Sequence, residues 1–385
     1  MTKKEDAKRI MLAHSKAKVD FFEAYLQRYL RVLYRTPYVT TINIYDIFCG
    51  TGIYENGKKG SPIVTFEAIK RYHEEKNTGM KIRLIFNDGE VSCVDSVRAY
   101  IDAQNQGYCE VIYNTLDASL MFDKVVKEVT GTAPNTRNLI FIDPYGYKEI
   151  NRDTLLNLLT NKRTELILFL PISHMQRFTQ KALASPDNQY EPLRRFVYSF
   201  FDEDHPIHGE KKTVSEYINY IKYALRFKCG DYYSTSYSIQ RDSGSYFALF
   251  FITSHIYGFE KILEVKWELD ELSGSGFIQP KMQQTLFEEE DKKVQQEDNY
   301  NRLEDLLRKY LQKPRTNNEI YLHILNYEFL PKHANKIFID WQQNSGNFEV
   351  TDIVTGAPAR KGSFYISWEH CKPQTKPKVT LYLKH

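Results

Sequence analysis

The run Ile44-Tyr-Asp-Ile-Phe-Cys-Gly-Thr-Gly-Ile53 constrains this chain more than any other stretch. Residues suited to a buried strand end abruptly in Gly50 and Gly52. A strand that stops in Gly-x-Gly turns sharply, and there the backbone can approach a ligand without Cβ atoms in the way. Further along, Asn138-Leu-Ile-Phe-Ile-Asp-Pro-Tyr-Gly-Tyr147 repeats the plan: an apolar run, then residues with chemical purpose at the strand's C-terminal tip. Open α/β sheets bind their ligands at such tips.

Between and beyond these segments the chain alternates strand and helix. Strands are expected at Ile42–Cys49, Ile82–Asn87, Glu110–Tyr113, Asn138–Ile142 and Glu165–Leu170. Helices are expected over 62–75, 91–103, 119–129 and 152–160, the first with Ser61 as N-cap and Pro62 at its first position. This rhythm predicts a mostly parallel sheet with helices on both faces. A helical stretch over 171–231 then interrupts it, placed to act as a substrate cap. Tyr233–Gln240 and Tyr246–Thr253 follow as an antiparallel hairpin, and a helix over 257–272 follows that. Five parallel strands plus a hairpin predict a Rossmann-like class I methyltransferase sheet with a helical insertion, because a dinucleotide dehydrogenase would continue βαβ.

The rest of the chain divides into further regions. Residues 6–34 read as amphipathic helix, making 1–41 an N-terminal helical region. Lys3, Lys4, Lys8, Arg9, Lys16, Lys18, Arg28, Arg31 and Arg35 lend it a basic face, either solvated or in contact with phosphate. Residues 42–272 form the sheet domain. Residues 273–299 read as a linker, with Ser273-Gly-Ser-Gly276 flexible and Glu288–Lys293 charged. Over 300–385, three helices and two strands, Phe348–Val354 and Phe364–Trp368, predict a winged-helix-like domain. Lys332, His333, Asn335 and Lys336 on its recognition helix, with Arg360 and Lys361 at the wing tip, are nucleic-acid-binding candidates, and protein docking is the competing role.

Composition narrows the field. A chain of 385 residues with 42% hydrophobic and 26% charged residues is an ordinary globular protein with room for two or three folding units. The surplus of aromatics, 28 Tyr and 23 Phe, serves cores and interfaces before it serves base stacking. A net charge of +3 demands no nucleic-acid partner, so any such surface is a local patch. Cys49, Cys93, Cys109, Cys229 and Cys371 are scattered without a CxxC pair. No metal site is therefore expected, and a reduced, cytoplasmic protein is. No apolar run is long enough to span a bilayer, so no membrane is expected.

The chemistry-bearing residues form two groups. Asp46, Phe48, Gly50 and Gly52 are candidates to hold the amino-acid portion of a nucleotide-type cofactor. Asp88, with Asn87 as a substitute, would accept the ribose hydroxyls after the second strand, and Asp117 would meet an adenine or simply cap the next helix. Asp143, Pro144 and Tyr145 are the catalytic candidates: an acceptor for an exocyclic amine, a proline exposing the next carbonyl, and a ring to stack a planar substrate. A nucleotide-type cofactor beside a planar acceptor predicts methyl transfer from S-adenosyl-L-methionine.

Taken in order, several motifs resemble the three-Cys-motif partner protein (TcmP) family. They are His14-Ser-Lys-Ala-Lys18 leading into Tyr25–Leu30, Asp46–Gly52, Gly60-Ser-Pro62, Phe141-Ile-Asp-Pro-Tyr-Gly146, Thr316–Ile320 and Leu330–Asn335. The resemblance spans nearly the whole chain. It implies a methyltransferase-like domain, a helical C-terminal domain, and a radical-SAM-like partner carrying a three-cysteine motif, commonly in phage-related contexts. Asp143-Pro-Tyr145 also resembles the Asp-Pro-Pro-Tyr signature of amino methyltransferases acting on nucleic-acid bases, with one proline fewer. The expected function is methyl transfer to a base amine of DNA or RNA. The competing expectation is a non-catalytic adaptor that binds nucleotide or nucleic acid and recruits the partner.

Overall fold

The apolar runs pair side by side in a computed structural model, which describes residues 10–75, 79–226, 232–242, 244–278 and 287–384. Expectations for Lys3, Lys4, Lys8, Arg9 and Cys229 fall outside the described residues, as do those for the side chains of Glu288–Lys293. The chain divides into two units, Met1–Lys261 with Ser275–Gln279, and Ile262–Gly274 with Pro280–His385.

The first unit is built on an eight-stranded sheet in the order β3-β2-β1-β4-β5-β7-β6-β8. Its first five strands, β1 (Thr41–Asp46), β2 (Lys81–Asn87), β3 (Glu110–Asn114), β4 (Thr136–Ile142) and β5 (Thr164–Leu170), are mutually parallel. Ile42, Ile44 and Tyr45 of β1 and Leu139 to Ile142 of β4 are fully buried, as strands covered on both faces must be. β6 (Tyr233–Asp242) and β7 (Ser245–Thr253) form the expected hairpin, and β7 lies antiparallel against β5. Order and direction are those of a Rossmann-like methyltransferase sheet. Asp46 pairs with Phe86 on one side and Phe141 on the other, so the ends of β1, β2 and β4 share one edge.

Helix α1 (Ala13–Leu33) belongs to this unit. It lies on the sheet with Phe21 against Tyr237 (5.0 Å between rings), Phe22 on Phe141 (4.5 Å) and Tyr25 against Phe251 (4.7 Å). Helices α2 (Ser61–Glu75), α3 (Val91–Asp102), α4 (Ala118–Thr130) and α5 (Arg152–Leu159) are the crossovers.

Over its described residues the 171–231 segment forms α6 (Ile172–Ala184), α7 (Glu191–Phe200) and α8 (Val214–Arg226), and these helices pack into the core of the sheet. Leu193, Phe196, Phe200, Ile221 and Leu225 join Ile142, Leu166 and Leu168 in one core, because their apolar faces are wide enough to close a face of the sheet. Helix α9 (Ile256–Leu269) follows β7. The expected linker holds β8 (Gly276–Ile278), which pairs parallel with β6; Gly276 is needed there because a Cβ would meet the Ser238 carbonyl at 2.4 Å.

In the second unit, α10 (Phe287–Tyr310), β9 (Arg315–Thr316), α11 (Asn317–Asn326), α12 (Pro331–Asn344), β10 (Phe348–Asp352), α13 (Trp368–Cys371) and β11 (Val379–Leu383) run in that order, and the strands pair as β10-β11-β9. Thr316 and Glu319 form a reciprocal capping box that starts α11. The second expected wing strand, Phe364–Trp368, is not one. Tyr365 sits at φ +54°, which breaks an extended run, while Phe364 and Ile366 are buried as plugs. The partner of β10 is β11, with Val350 opposite Leu381. No helix among the described residues is long and apolar enough to cross a membrane.

Candidate cofactor and acceptor site

The loop after β1 is built by two glycines that are there for different reasons. Gly50 has φ +61° and Gly52 φ +75°, both in the left-handed region that side chains avoid. A Cβ on Gly52 would meet Val97 Cγ2 at 2.9 Å and Ile63 Cγ1 at 3.1 Å, so this glycine serves packing within the protein. A Cβ on Gly50 would meet nothing within 4 Å and would project into open space. The Gly52 carbonyl accepts the Gly60 N–H at 2.6 Å, closing the loop just before α2.

The end of β2 fixes the loop from the other side. Asp88 Oδ2 accepts the Gly50 N–H at 3.0 Å, and its Oδ1 accepts the Glu90 N–H at 2.9 Å. The neighbouring Asn87 cannot replace Asp88. Its amide donates to the carbonyls of Ile47 and Leu116 and accepts the Leu116 N–H, tying three strand ends together. Phe48 is half-buried, edge-on to Phe122 at 6.4 Å. Asp117 takes the N-cap position of α4, accepting from Ser119 N at 3.0 Å and from its hydroxyl at 2.9 Å, and those bonds hold its carboxyl below the usual range. Cys49 is buried, and that burial pushes its thiol well above the ordinary range.

Asp46 lies beneath the loop and is only 1% exposed. Its Oδ2 accepts the Ser61 hydroxyl at 2.6 Å, so Ser61 spends its side chain on Asp46 rather than on capping α2; among the described residues Oδ1 has no hydrogen-bond partner. Burial, with the Asp143 and Asp88 charges adding to it, pushes the Asp46 carboxyl up to about 7 against the opposing pull of Ser61 and Lys18.

At the tip of β4, Asp143 forms an ion pair with Lys18, a residue of α1. Sequence reading placed Lys18 on a basic outer face; the structure turns it inward. Its Nζ lies 4.8 Å above the Phe169 ring, and Phe169 stacks on Phe247 (5.3 Å), which in turn stacks on His14 (5.0 Å). Burial opposes the Lys18 ammonium, but the Asp143 and Asp46 carboxylates and Tyr54 together hold its proton more tightly than in free lysine. A signal for Lys18 was present in the sequence: it falls in the helical stripe of His14, Phe22, Tyr25 and Tyr29, where an apolar residue belongs. Pro144 is buried, whereas Tyr145, two residues beyond Asp143, is 65% exposed. Tyr147 is buried, and its hydroxyl donates to the Pro171 carbonyl.

The second unit's candidates divide. Lys332, Lys336, Arg360 and Lys361 are exposed, and Asn335 is half-buried. His333 is spent inside: its ring meets Trp267 edge-on at 4.4 Å and its Nδ1 accepts the Leu330 N–H at 3.2 Å. Burial, then the neighbouring Lys332 and Lys336, lower it to about 4. The Gly362 N–H donates to Gln342 Oε1 at 2.9 Å, resting the Arg360–Lys361 tip on α12.

No family model matches the chain, and no curated protein matches its sequence. Among solved structures it is similar to the O-methyltransferase from Bacillus cereus in complex with SAH, at 15% identity over 60% of this chain and 79% of that one, with a TM-score of 0.32. It is similar to the O-methyltransferase TomG from Streptomyces achromogenes in complex with SAM, at 16% identity over the same shares and TM-score 0.32. A third likeness is to protein LPL1258 from Legionella pneumophila, at 14% identity over 68% of this chain and 92% of that one, with TM-score 0.36. What this chain binds has to come from its own residues.

Proposed function

We propose that the first unit binds S-adenosyl-L-methionine at the ends of β1 and β2 and transfers its methyl group to an acceptor held at the end of β4. One observation carries the reading: Gly50 turns left-handed into open space while Asp88 clamps its N–H. The residues fit the cofactor. Gly50 leaves the space a Cβ would fill, and Asp88 stands where a ribose hydroxyl pair is taken in sheets of this order. Among the described residues no donor reaches the buried Oδ1 of Asp46, which suits it to a cationic amino-acid portion.

The bound sulfonium supplies an already activated methyl group, so the chain's own task is mostly positioning. Asp143 accepts a hydrogen bond from the acceptor amine and Tyr145 stacks its plane; those roles fit a base amine of DNA or RNA, as the partial Asp-Pro-Tyr likeness implies. Exposed Lys332, Lys336, Arg360 and Lys361 would serve as phosphate contacts. A three-cysteine, radical-SAM-like partner is the cooperating protein in this reading.

One observation favours the second reading, a non-catalytic adaptor for that partner: the Asp143 carboxylate is already engaged by Lys18. Methyl incorporation from tritiated SAM into DNA and RNA separates the two. The catalytic reading predicts incorporation that falls about 100-fold or more in Asp143→Ala. Incorporation that survives Asp143→Ala rejects the assigned acceptor site, and binding without any incorporation favours the adaptor.

A further inference from the structure

Lys18 stands where burying a charge is expensive. It is 9% exposed, in the stripe of α1 that otherwise buries Phe22, Tyr25, Leu26 and Tyr29. Burying an ion pair adds little stability over an apolar pair of similar size, so stability does not account for this lysine. Its placement is informative. An ammonium has three N–H donors, and among the described residues the hydrogen bond of Lys18 goes to Asp143 Oδ2 alone. The Asp143 side chain is 22% exposed and the Lys18 side chain 11%, so the pair opens at one end. That end offers a carboxylate acceptor and an ammonium donor side by side, and the exposed Tyr145 follows Asp143 by two residues.

We propose that Lys18 is a specificity-determining residue: with Asp143 it reads the edge of a base that carries an exocyclic amine beside a ring nitrogen. Asp143 takes the amine N–H, and Lys18 donates to the ring nitrogen, N1 of adenine or N3 of cytosine. The match is chemical. Those two atoms are a donor and an acceptor on neighbouring positions of one planar edge, and a base taken out of its stack is read there by hydrogen bonds. Lys18 hydrogen-bonds only; it neither makes nor breaks a covalent bond. The inference rests on the base-amine reading above.

The test compares kcat/KM for methyl transfer into oligonucleotides containing adenine or 1-deazaadenine, and cytosine or 3-deazacytosine, in which a C–H replaces the ring nitrogen. For the base it methylates, the wild-type protein is expected to lose about 10- to 100-fold on the deaza analogue, the effect of one charge-assisted hydrogen bond. Lys18→Met is expected to lose a similar factor on the natural base and nothing further on the analogue; Lys18→Arg is expected to keep the discrimination. Wild-type rates indifferent to the ring nitrogen, or a Lys18→Met protein that still discriminates, overturn the inference alone. The wild-type comparison stands even if Lys18→Met does not fold. Absence of transfer to every oligonucleotide overturns the base-amine reading, and this inference with it.

Discussion

At the scale of single residues, Gly50 and Gly52 make opposite predictions although they share one motif. Gly52→Ala adds a left-handed penalty to a clash with Val97 and Ile63, and should destabilise the protein by about 2–4 kcal/mol in urea denaturation. Gly50→Ala meets only the backbone penalty of about 1–2 kcal/mol, and its larger effect should be on cofactor affinity. Equal stability losses would contradict the distinction. Asp46 and Glu165 predict a pH dependence. Burial raises both carboxyls to about 7, against a cluster of hydrogen bonds that for Glu165 come from Tyr25 and Thr253. Each is held protonated more tightly in the folded chain than in the unfolded one. The folded state therefore carries the extra protons between about pH 4 and 7, and stability falls as pH rises through that window. Asp46→Asn should remove part of the slope, losing on the order of 2 kcal/mol less than wild type between pH 5 and 8. Identical slopes would contradict the burial of Asp46.

At the scale of elements, Asn317 shows how a fold is pinned by one side chain. It is fully buried at the start of α11; its amide donates to the Tyr365 carbonyl at 3.1 Å, and its Oδ1 accepts the Lys378 N–H at 2.9 Å, tying both ends of the long segment before β11. Asn317→Ala leaves buried partners unsatisfied and should lower stability by about 1–3 kcal/mol, measured by thermal or urea unfolding; no change would sink that role. The same element marks the limit of sequence reading. β1 to β5 and the β6–β7 hairpin were legible because each is a local apolar run bounded by turn residues. β8, β9 and β11 were not, because each is short or pairs with a strand distant in sequence, and no local pattern encodes its partner. Phe364–Trp368 misled for the converse reason: its apolar alternation is real, but Phe364 and Ile366 plug a core instead of pairing. Lys18 was legible as a charge and illegible as a site, because its meaning comes from α1 lying against the tip of β4.

At the scale of the whole molecule, the sheet order decides what the separate motifs mean. Because β1 lies between β2 and β4, Gly50, Asp88, Asp46 and Asp143 come to one edge although they are spread over the first 143 residues. A chain with the same motifs and another order would not gather them. The second unit contributes a different chemistry, a helix α12 with Lys332 and Lys336 outside and Ala334, Ile337, Phe338 and Trp341 inside, and His333 has left the first list for the second. If the Gly50–Asp88 edge is a cofactor pocket, isothermal calorimetry of S-adenosylhomocysteine should find one site per chain in the wild type. Binding to Asp88→Ala, shown to be folded by circular dichroism, should be at least about tenfold weaker, some 1.4 kcal/mol. Absence of binding to the wild type, or equal affinity in the folded variant, would contradict that reading.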